Sequence, residues 1–367
     1  MIFKNKQWQM QQLTINYLEQ LQQQNQTLQV NQALNFALIN PISANLDATT
    51  KAAITSNALE NIYFKAGDHQ AQTLINNYNR LLNEIKINYQ QMVLSVDLIL
   101  DLHRHLLQNL PNANSLAGQF KQQQNYIQDR TTKQVLFMPP DANSSPTLLV
   151  QLCQWYHQET NFDPLIKIPL FILDFLAIHP FNDGNGRISR LLTNLLALQS
   201  GCEFLKYSAL EAQIWNQRPN YYEAIWRAQS NWHQHTNNYD PFVNFHLQTL
   251  LVCAHQFNSI IAFNQQVRDF ALTNQEITIL LINQLRDQMI PITKTNIIKM
   301  AQQYQQVLKP ATIKNILQRL CAQQALILIH QNKCSYYDLV EPVWEQLITA
   351  INTKPLKKRP AKDAFTL

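Results

Sequence analysis

Apolar residues recur at helical spacing along most of the chain, in a background of glutamine and asparagine rather than of charge. Leu13, Ile15, Leu18 and Leu21 mark a docked helix over Trp8 to Gln24. The same spacing predicts helices over Asp47 to Glu60, Thr73 to Asn88, Val96 to Leu107, Pro146 to Gln158, Leu165 to Ile178 and Ile188 to Gln199. Pro219-Asn220-Tyr221-Tyr222 opens a further helix, through about Gln229. Gln119 to Pro140 breaks the pattern. There Phe120, Tyr126, Ile127, Val135 and Phe137 flank a polar centre, Gln128-Asp129-Arg130-Thr131-Thr132-Lys133, and Pro139-Pro140 closes it, which predicts a β-hairpin. The last third changes character. Asn274 to Arg286, Thr293 to Gln302 and Pro310 to Cys321 read as short helices, and Ala325 to His330 and Ser335 to Val340 as strands around Gln331-Asn332-Lys333-Cys334. The fold class is therefore mainly α: a helical bundle with a β-hairpin flap, followed by a winged helix-turn-helix domain.

Composition adds bounds. At roughly 100–200 residues per domain, 367 residues suggest two or three units, and 46% hydrophobic content supports a packed core. A net charge of +5 does not by itself imply nucleic acid. The five cysteines (Cys153, Cys202, Cys253, Cys321, Cys334) are scattered and lack metal-ligand spacing, as expected of reduced thiols. The sequence shows no apolar run of bilayer length and no signal peptide at MIFKNKQWQM, so the expectation is a cytoplasmic protein with no membrane partner. Lys354, Lys357, Lys358, Arg359 and Lys362 read as a basic, flexible tail.

One stretch concentrates chemistry: His179-Pro180-Phe181-Asn182-Asp183-Gly184-Asn185-Gly186-Arg187-Ile188-Ser189-Arg190. The chain has five glycines, and two of them are here, one residue apart, where a loop opens a helix. Backbone N–H groups at a helix start attract anions. Arg187 and Arg190, three apart, share a helix face and can reach one polyanion. Asp183 suits Mg²⁺, which takes one or two carboxylates plus phosphate oxygens. His179 stands ahead of the loop as a general base. Phe181 is expected to point into the core.

This stretch resembles the Fic family motif, His-Pro-Phe-x-Asp/Glu-Gly-Asn-Gly-Arg-x-x-Arg, at every specified position. The resemblance extends over roughly Asp47 to Val252, with Asp240-Pro241-Phe242 through Leu251 similar to the family's closing helix. It implies transfer of AMP from ATP, with Mg²⁺, to a Ser, Thr or Tyr hydroxyl of a protein or of the chain itself. His179 would take the hydroxyl proton, Asp183 the Mg²⁺, and Gly184, Asn185 and Gly186 the α-phosphate. Arg187 and Arg190 would hold the β- and γ-phosphates, and Tyr221 and Tyr222 would lie near the adenine. The hairpin resembles the family's flap, so Asn125, Tyr126 and Ile127 would offer an edge for a target segment.

Ser56-Asn57-Ala58-Leu59-Glu60-Asn61 resembles the family's inhibitory motif, Ser/Thr-x-x-x-Glu-Gly/Asn. Ser56 and Glu60 are i and i+4 on one helix face, and Asn61 suits the left-handed position after a helix. A carboxylate there can pair with Arg190 and compete with a γ-phosphate. The same glutamate orients water for AMP removal in some relatives, and removal stays open as the alternative reaction. Phosphotransfer, as in the death-on-curing kinases, is disfavoured by Gly186 and Arg190, which those kinases lack. A winged-helix regulator with a vestigial enzyme is disfavoured by the intact motif.

The expected organisation is N-terminal helices over 1–110, with an inhibitory helix at about 47–61. A Fic core over 111–265, with its flap at about 119–140, a winged helix over 271–345 and the tail over 346–367 follow. On the third helix of the winged domain, Lys314, Asn315 and Arg319 are candidate DNA contacts, beside Lys309, Thr312 and Gln318. The alternative use of that domain is protein contact, including a homodimer.

Overall fold

In chain order, the computed structural model carries α1 (Gln12–Val30), α2 (Pro41–Leu59), α3 (His69–Asn88) and α4 (Val96–Leu107). The hairpin β1 (Ile127–Gln128) and β2 (Val135–Phe137) follows, then α5 (Ser144–Gln158), α6 (Pro164–Ile178), α7 (Asn185–Gln199), α8 (Leu210–Asn216) and α9 (Arg218–Gln229). Beyond α10 (Asp240–Asp269) come α11 (Asn274–Asp287), α12 (Lys294–Gln303), α13 (Pro310–Ala322), β3 (Leu326–Gln331), β4 (Cys334–Leu339) and α14 (Glu341–Asn352). The structure describes residues 1–4, 8–30, 41–63, 67–111, 116–128, 132, 134–287, 290–304, 306–331 and 334–355. Among these, no helix is long and apolar enough to cross a membrane.

Local chemistry explains the helix starts. Asp68, Ser95 and Asp163 each accept a hydrogen bond from an orphan amide in the first turn of α3, α4 and α6, at 2.9, 3.1 and 2.8 Å. Pro164 and Pro310 occupy first-turn positions, where a missing N–H costs nothing.

The chain divides into two compact units. The first holds Met1–Gln32 and Pro41–Phe257, and the second holds the chain from Asn258 onward. The centre of the first unit is α6, buried on every side from Leu165 to Ile178 apart from Lys167, and α7, buried from Arg187 to Leu198. Helices apolar all round must be covered all round. The covering is done in part by α3 and α4 on α7 and by α5 and α9 on α6, with α2 packed on α3 and α8. This corrects the expected division at residue 110, because the N-terminal helices complete the same core.

In the second unit, α11, α12 and α13 precede an antiparallel hairpin with Leu326↔Leu339 through Gln331↔Cys334 in register. Ile292, between α11 and α12, bridges Tyr337. These are the elements, in the order, expected of a winged helix. The turn residues Asn332 and Lys333 lie outside the described residues. The tail expectation needs correcting: α14 runs through Asn352, with Trp344 and Ile351 buried, and Lys354 pairs with Glu276 at 2.8 Å. Apolar residues at helical spacing hold this segment in the core. Lys357, Lys358, Arg359 and Lys362 lie outside the described residues.

Candidate active site

His179 ends α6 in the left-handed conformation, φ 50° and ψ 59°, uncommon for a residue with a β-carbon. Gly184, φ 89°, caps α7. Between them the chain turns through Pro180 to Asp183, and its carbonyls are taken one after another by donors from elsewhere. Lys121 Nζ donates to Ile178 O (3.2 Å) and its amide to Pro180 O (2.8 Å). Asn125 Nδ2 donates to His179 O (3.4 Å) and Phe181 O (3.1 Å). His103 Nε2 lies 3.0 Å from Asp183 O, and Gly118 N donates to His103 Nδ1 at 3.1 Å, which fixes Nε2 as the protonated nitrogen. The Phe181 ring is fully buried and stacks on His103 with centroids 3.8 Å apart.

The imidazole of His179 is set up as a proton acceptor. Its Nδ1 is 3.2 Å from Leu176 O, a contact only a protonated Nδ1 can make, and this leaves Nε2 with its lone pair. Burial pushes its pKa down to about 4, with the hydrogen bond to Leu176 opposing and the Lys121 ammonium assisting. The ring is therefore neutral at physiological pH.

At the start of α7, Asp183 accepts from Gly184 N (2.7 Å) and from Arg187 Nη2 (2.7 Å). Partial loss of solvent from the surrounding protein works against the carboxylate, but Arg187 and the Gly184 amide hold its pKa below the usual value. Arg187 is fully buried, and its Nε and Nη1 have no hydrogen-bond partner among the described residues. Buried guanidinium donors without acceptors are costly, and an anion would satisfy them. Asn185 departs from expectation. Its Oδ1 accepts from Phe181 N (3.0 Å) and its Nδ2 donates to Phe181 O (2.7 Å), so the side chain ties the loop rather than facing a ligand. Gly186 also departs, lying inside the first turn of α7 and not in the turn before it.

Arg190 is clamped by α2. Its Nε donates to Ser56 Oγ (2.8 Å), and its Nη2 to Ser56 O (2.9 Å) and Glu60 Oε1 (2.8 Å). The Arg190 side chain is 3% and the Glu60 side chain 27% exposed, so the ion pair is partly sheltered and screened less than a surface pair. Burial alone would lower the arginine's pKa, and Glu60 reverses that and raises it. The end of α2 is a Schellman turn. Ile62 N donates to Asn57 O (2.9 Å) and Asn61 N to Ala58 O (2.8 Å), with Asn61 at φ 60°. That turn places Glu60 at the C-cap, aimed at Arg190. The buried face of α2 is made mostly of small residues, Ala48, Thr49, Ala52, Ala53, Ser56 and Ala58, with Asn57 and Leu59 buried at its end.

The tyrosine pair separates. Tyr221 is buried against Phe242, Phe245 and Arg190, so it backs the arginine and presents no face to a ligand. Tyr222 is half exposed, and its hydroxyl donates to Leu59 O at 2.7 Å, fastening the end of α2 to α9. Adjacent residues on a helix point about 100° apart, so only one of the two can face outward. In the flap, Ile127 pairs with Phe137 and Gln128 with Val135 across a bulge. Tyr126 is exposed, but Asn125 is spent on the catalytic loop, which removes its side chain from target docking. Asp129, Arg130, Thr131 and Lys133 at the flap tip lie outside the described residues. Lys314, Asn315 and Arg319 are all exposed on α13.

Two residues of the site, His103 and Lys121, were missed in the sequence. Burial lowers the Lys121 pKa to about 8 and the His103 pKa to about 4. A single histidine on an apolar helix face and a single lysine in a glutamine-rich stretch carry no local signal of these contacts.

Fold and site together define a helical enzyme-like centre: a neutral imidazole beside an anion-attracting helix start, with a carboxylate covering one of its arginines. Residues 93–197 match the family model described as the Fic/DOC family, and the chain carries a Fic domain. That segment is similar to the protein adenylyltransferase fic-1 of Caenorhabditis briggsae, 30% identical over 124 residues, which are 33% of this chain and 23% of that protein. It is similar also to the protein adenylyltransferase Fic of Drosophila ananassae, 31% identical over 114 residues, 30% of this chain and 21% of that one. The chain thus aligns with under a quarter of the length of these relatives. The fold is shared with a Fic family protein from Desulfovibrio desulfuricans, TM-score 0.55 and 19% identity, over 90% of this chain and 97% of that one.

Proposed function

We propose that the chain transfers AMP from ATP to a hydroxyl of a protein and is held in check by Glu60. The observation that carries this is His179, neutral, with Nδ1 committed to Leu176 and Nε2 left to accept a proton beside the start of α7. His179 Nε2 takes the hydroxyl proton, the oxygen bonds to the α-phosphorus, and the bond to pyrophosphate breaks. The amides at Gly184 to Gly186 and the guanidinium of Arg187 stabilise the charge that develops. Arg190 would take the γ-phosphate once released by Ser56 and Glu60.

Mg²⁺ fits one place. Among the described residues no cluster of three metal-ligating side chains exists, but Asp183 has a side chain 65% exposed at the loop. One carboxylate completed by phosphate oxygens is how Mg²⁺ is usually held. There it would neutralise charge on the phosphates.

The test is label incorporation into protein from ATP labelled at the α- or γ-phosphate, in wild type, Glu60→Gly and His179→Ala. Expected is α-label only, raised by Glu60→Gly and lowered ~10²–10⁴-fold by His179→Ala. Transfer of γ-label would make the chain a kinase. Loss of an AMP-removing activity in Glu60→Gly would make the glutamate catalytic for the reverse reaction.

For the second unit we propose weak duplex DNA binding through α13. The exposure of Lys314, Asn315 and Arg319 on one helix supports it.

A further inference from the structure

The hairpin of β1 and β2 is too short to hold itself. Its strands have two and three residues, with a register shift between Ile127 and Gln128, and Gln128, Val135 and Leu136 are exposed. A two-stranded ribbon of this kind is marginal in water, so its direction is set by what touches it. Two anchors do so, and both refer to α6. At the root of β1, Asn125 accepts from Lys121 Nζ (2.8 Å) and donates to the carbonyls of His179 and Phe181. Gln124 Nε2 donates to Pro139 O at 2.9 Å, joining the roots of the two strands.

The second anchor is the turn between α9 and α10. Trp232 is buried there, and its Nε1 donates to Asp174 Oδ1 at 2.6 Å. Asp174 is fully buried on α6, the helix that His179 ends, and also accepts from the Tyr239 hydroxyl at 2.9 Å. The Phe137 ring of β2 meets Trp232 edge to face, with centroids 6.1 Å apart, and stacks on His233 at 5.4 Å and 12°. His233 Nε2 is 2.8 Å from Met138 O, and only the nitrogen of that pair can donate. Pro139 and Pro140 follow without an N–H, so β2 cannot continue its ladder. His233 itself is exposed, so its ring and its N–H serve the hairpin and not the core.

One anchor would let the hairpin swivel. Two anchors, one on each strand, fix its direction against α6 and so against His179. An acceptor hydroxyl has to reach His179 Nε2, and the hairpin borders the loop where it arrives. Transfer of this kind is sensitive to misplacement of the reacting groups by about 1 Å.

We infer that His233, seated by Trp232 and Asp174, is a positioning residue for the acceptor: it sets where the hairpin lies beside His179 and so how a protein segment presents its hydroxyl. This rests on the reading that the chain transfers AMP to protein. No contact of His233 with ATP is proposed.

The test uses the full chain carrying Glu60→Gly, with α-labelled ATP, Mg²⁺ and a serially diluted cell lysate as acceptor, following the most heavily labelled protein. Adding His233→Ala is expected to raise the lysate concentration that gives half the maximal rate by roughly two- to tenfold, the contribution of one hydrogen bond. The maximal rate and the ATP affinity measured by calorimetry should stay unchanged, whereas a general loss of stability would move all three. His233→Gln, which keeps an N–H donor, should lie closer to the parent than His233→Ala. Hydrogen exchange of the hairpin amides, read by mass spectrometry, should quicken in His233→Ala. Because His233 is on the surface, these variants are expected to fold. An unchanged acceptor dependence in His233→Ala would overturn the inference and leave AMP transfer standing, and quickened exchange beside it would make His233 a structural clamp only. If Glu60→Gly with His233 intact labels no protein, the transfer reading falls and the inference with it.

Discussion

Gly186 leaves room for Glu60: a β-carbon built on Gly186 would overlap the Glu60 carboxylate oxygen and lie 3.1 Å from its Cδ and 3.2 Å from Arg190 Nη1. The glycine permits a close approach within a helix, where its own conformation is ordinary. Gly186→Ala is therefore expected to push Glu60 off Arg190 at little cost to folding, since alanine gains ~1 kcal/mol over glycine inside a helix. In that background Glu60→Gly should add nothing to ATP affinity measured by calorimetry. A full additional gain would show that the carboxylate adapts around the methyl and the pair persists.

The buried histidines predict an acid limb to stability. His103 and His179 have pKa values lowered by burial to about 4 from an ordinary 6.5. Between those values the unfolded chain binds more protons than the folded one. Stability is thus fully present above pH 6.5 and falls as pH drops toward 4, by up to about 1 kcal/mol per pH unit for each histidine. Thermal melts from pH 7.5 to 4.5 measure it. His103→Gln should flatten the slope, and an equally steep dependence in that variant would assign it to other groups.

Asp183→Ala is expected to lose the Mg²⁺ dependence of ATP binding. The same change frees Arg187 from its carboxylate, so metal-free binding should be retained or tightened. Calorimetry with and without Mg²⁺ separates the two effects, and an unchanged Mg²⁺ response would place the metal elsewhere.

The α13 face should give DNA binding that weakens steeply with salt. Lys314→Ala with Arg319→Ala removes two phosphate partners, so the slope of log affinity against log salt should become shallower by about 2. Fluorescence anisotropy of full-length chain with duplex DNA between 20 and about 200 mM salt tests this. No binding at the lowest salt would leave α13 to a protein contact.

The sequence makes the site legible where function is carried by consecutive residues. Ser56, Glu60 and Asn61 announce a helix end bearing a carboxylate because four-residue spacing and the left-handed tolerance of asparagine are local facts. Gly184 likewise announces the start of α7. What stays hidden is whatever depends on another segment. The amides of Asn125 and Asn185 are spent on carbonyls of the catalytic loop, and no spacing rule separates such amides from ligand contacts. Tyr221 and Tyr222 part company because Tyr221 is the one packed on Phe242 and Phe245 of α10, a contact with a distant segment. For α14 the signal was present, since Val343, Trp344, Leu347, Ile348 and Ile351 keep helical spacing, but the basic run after them masks it.

The alanine-rich face of α2 has a consequence for how firmly the helix is held. Each of Ala48, Ala52, Ala53 and Ala58 commits about one methyl to the interface, worth ~0.8 kcal/mol, where leucine would commit ~1.5–3. Polar bonds add to the seating: Lys86 Nζ to Thr49 Oγ1 (3.2 Å), Arg190 to Ser56 and Glu60, and Tyr222 to Leu59 O, of which a competing polyanion or a change at α9 can break the last three. A helix held this way is expected to come away more readily than its neighbours when Arg190 is drawn off. The surrounding α6 and α7, packed with leucine, isoleucine and phenylalanine, have no such freedom. Within one unit, α2 is held by polar bonds over a face of mostly small side chains, and α6 and α7 by large apolar ones.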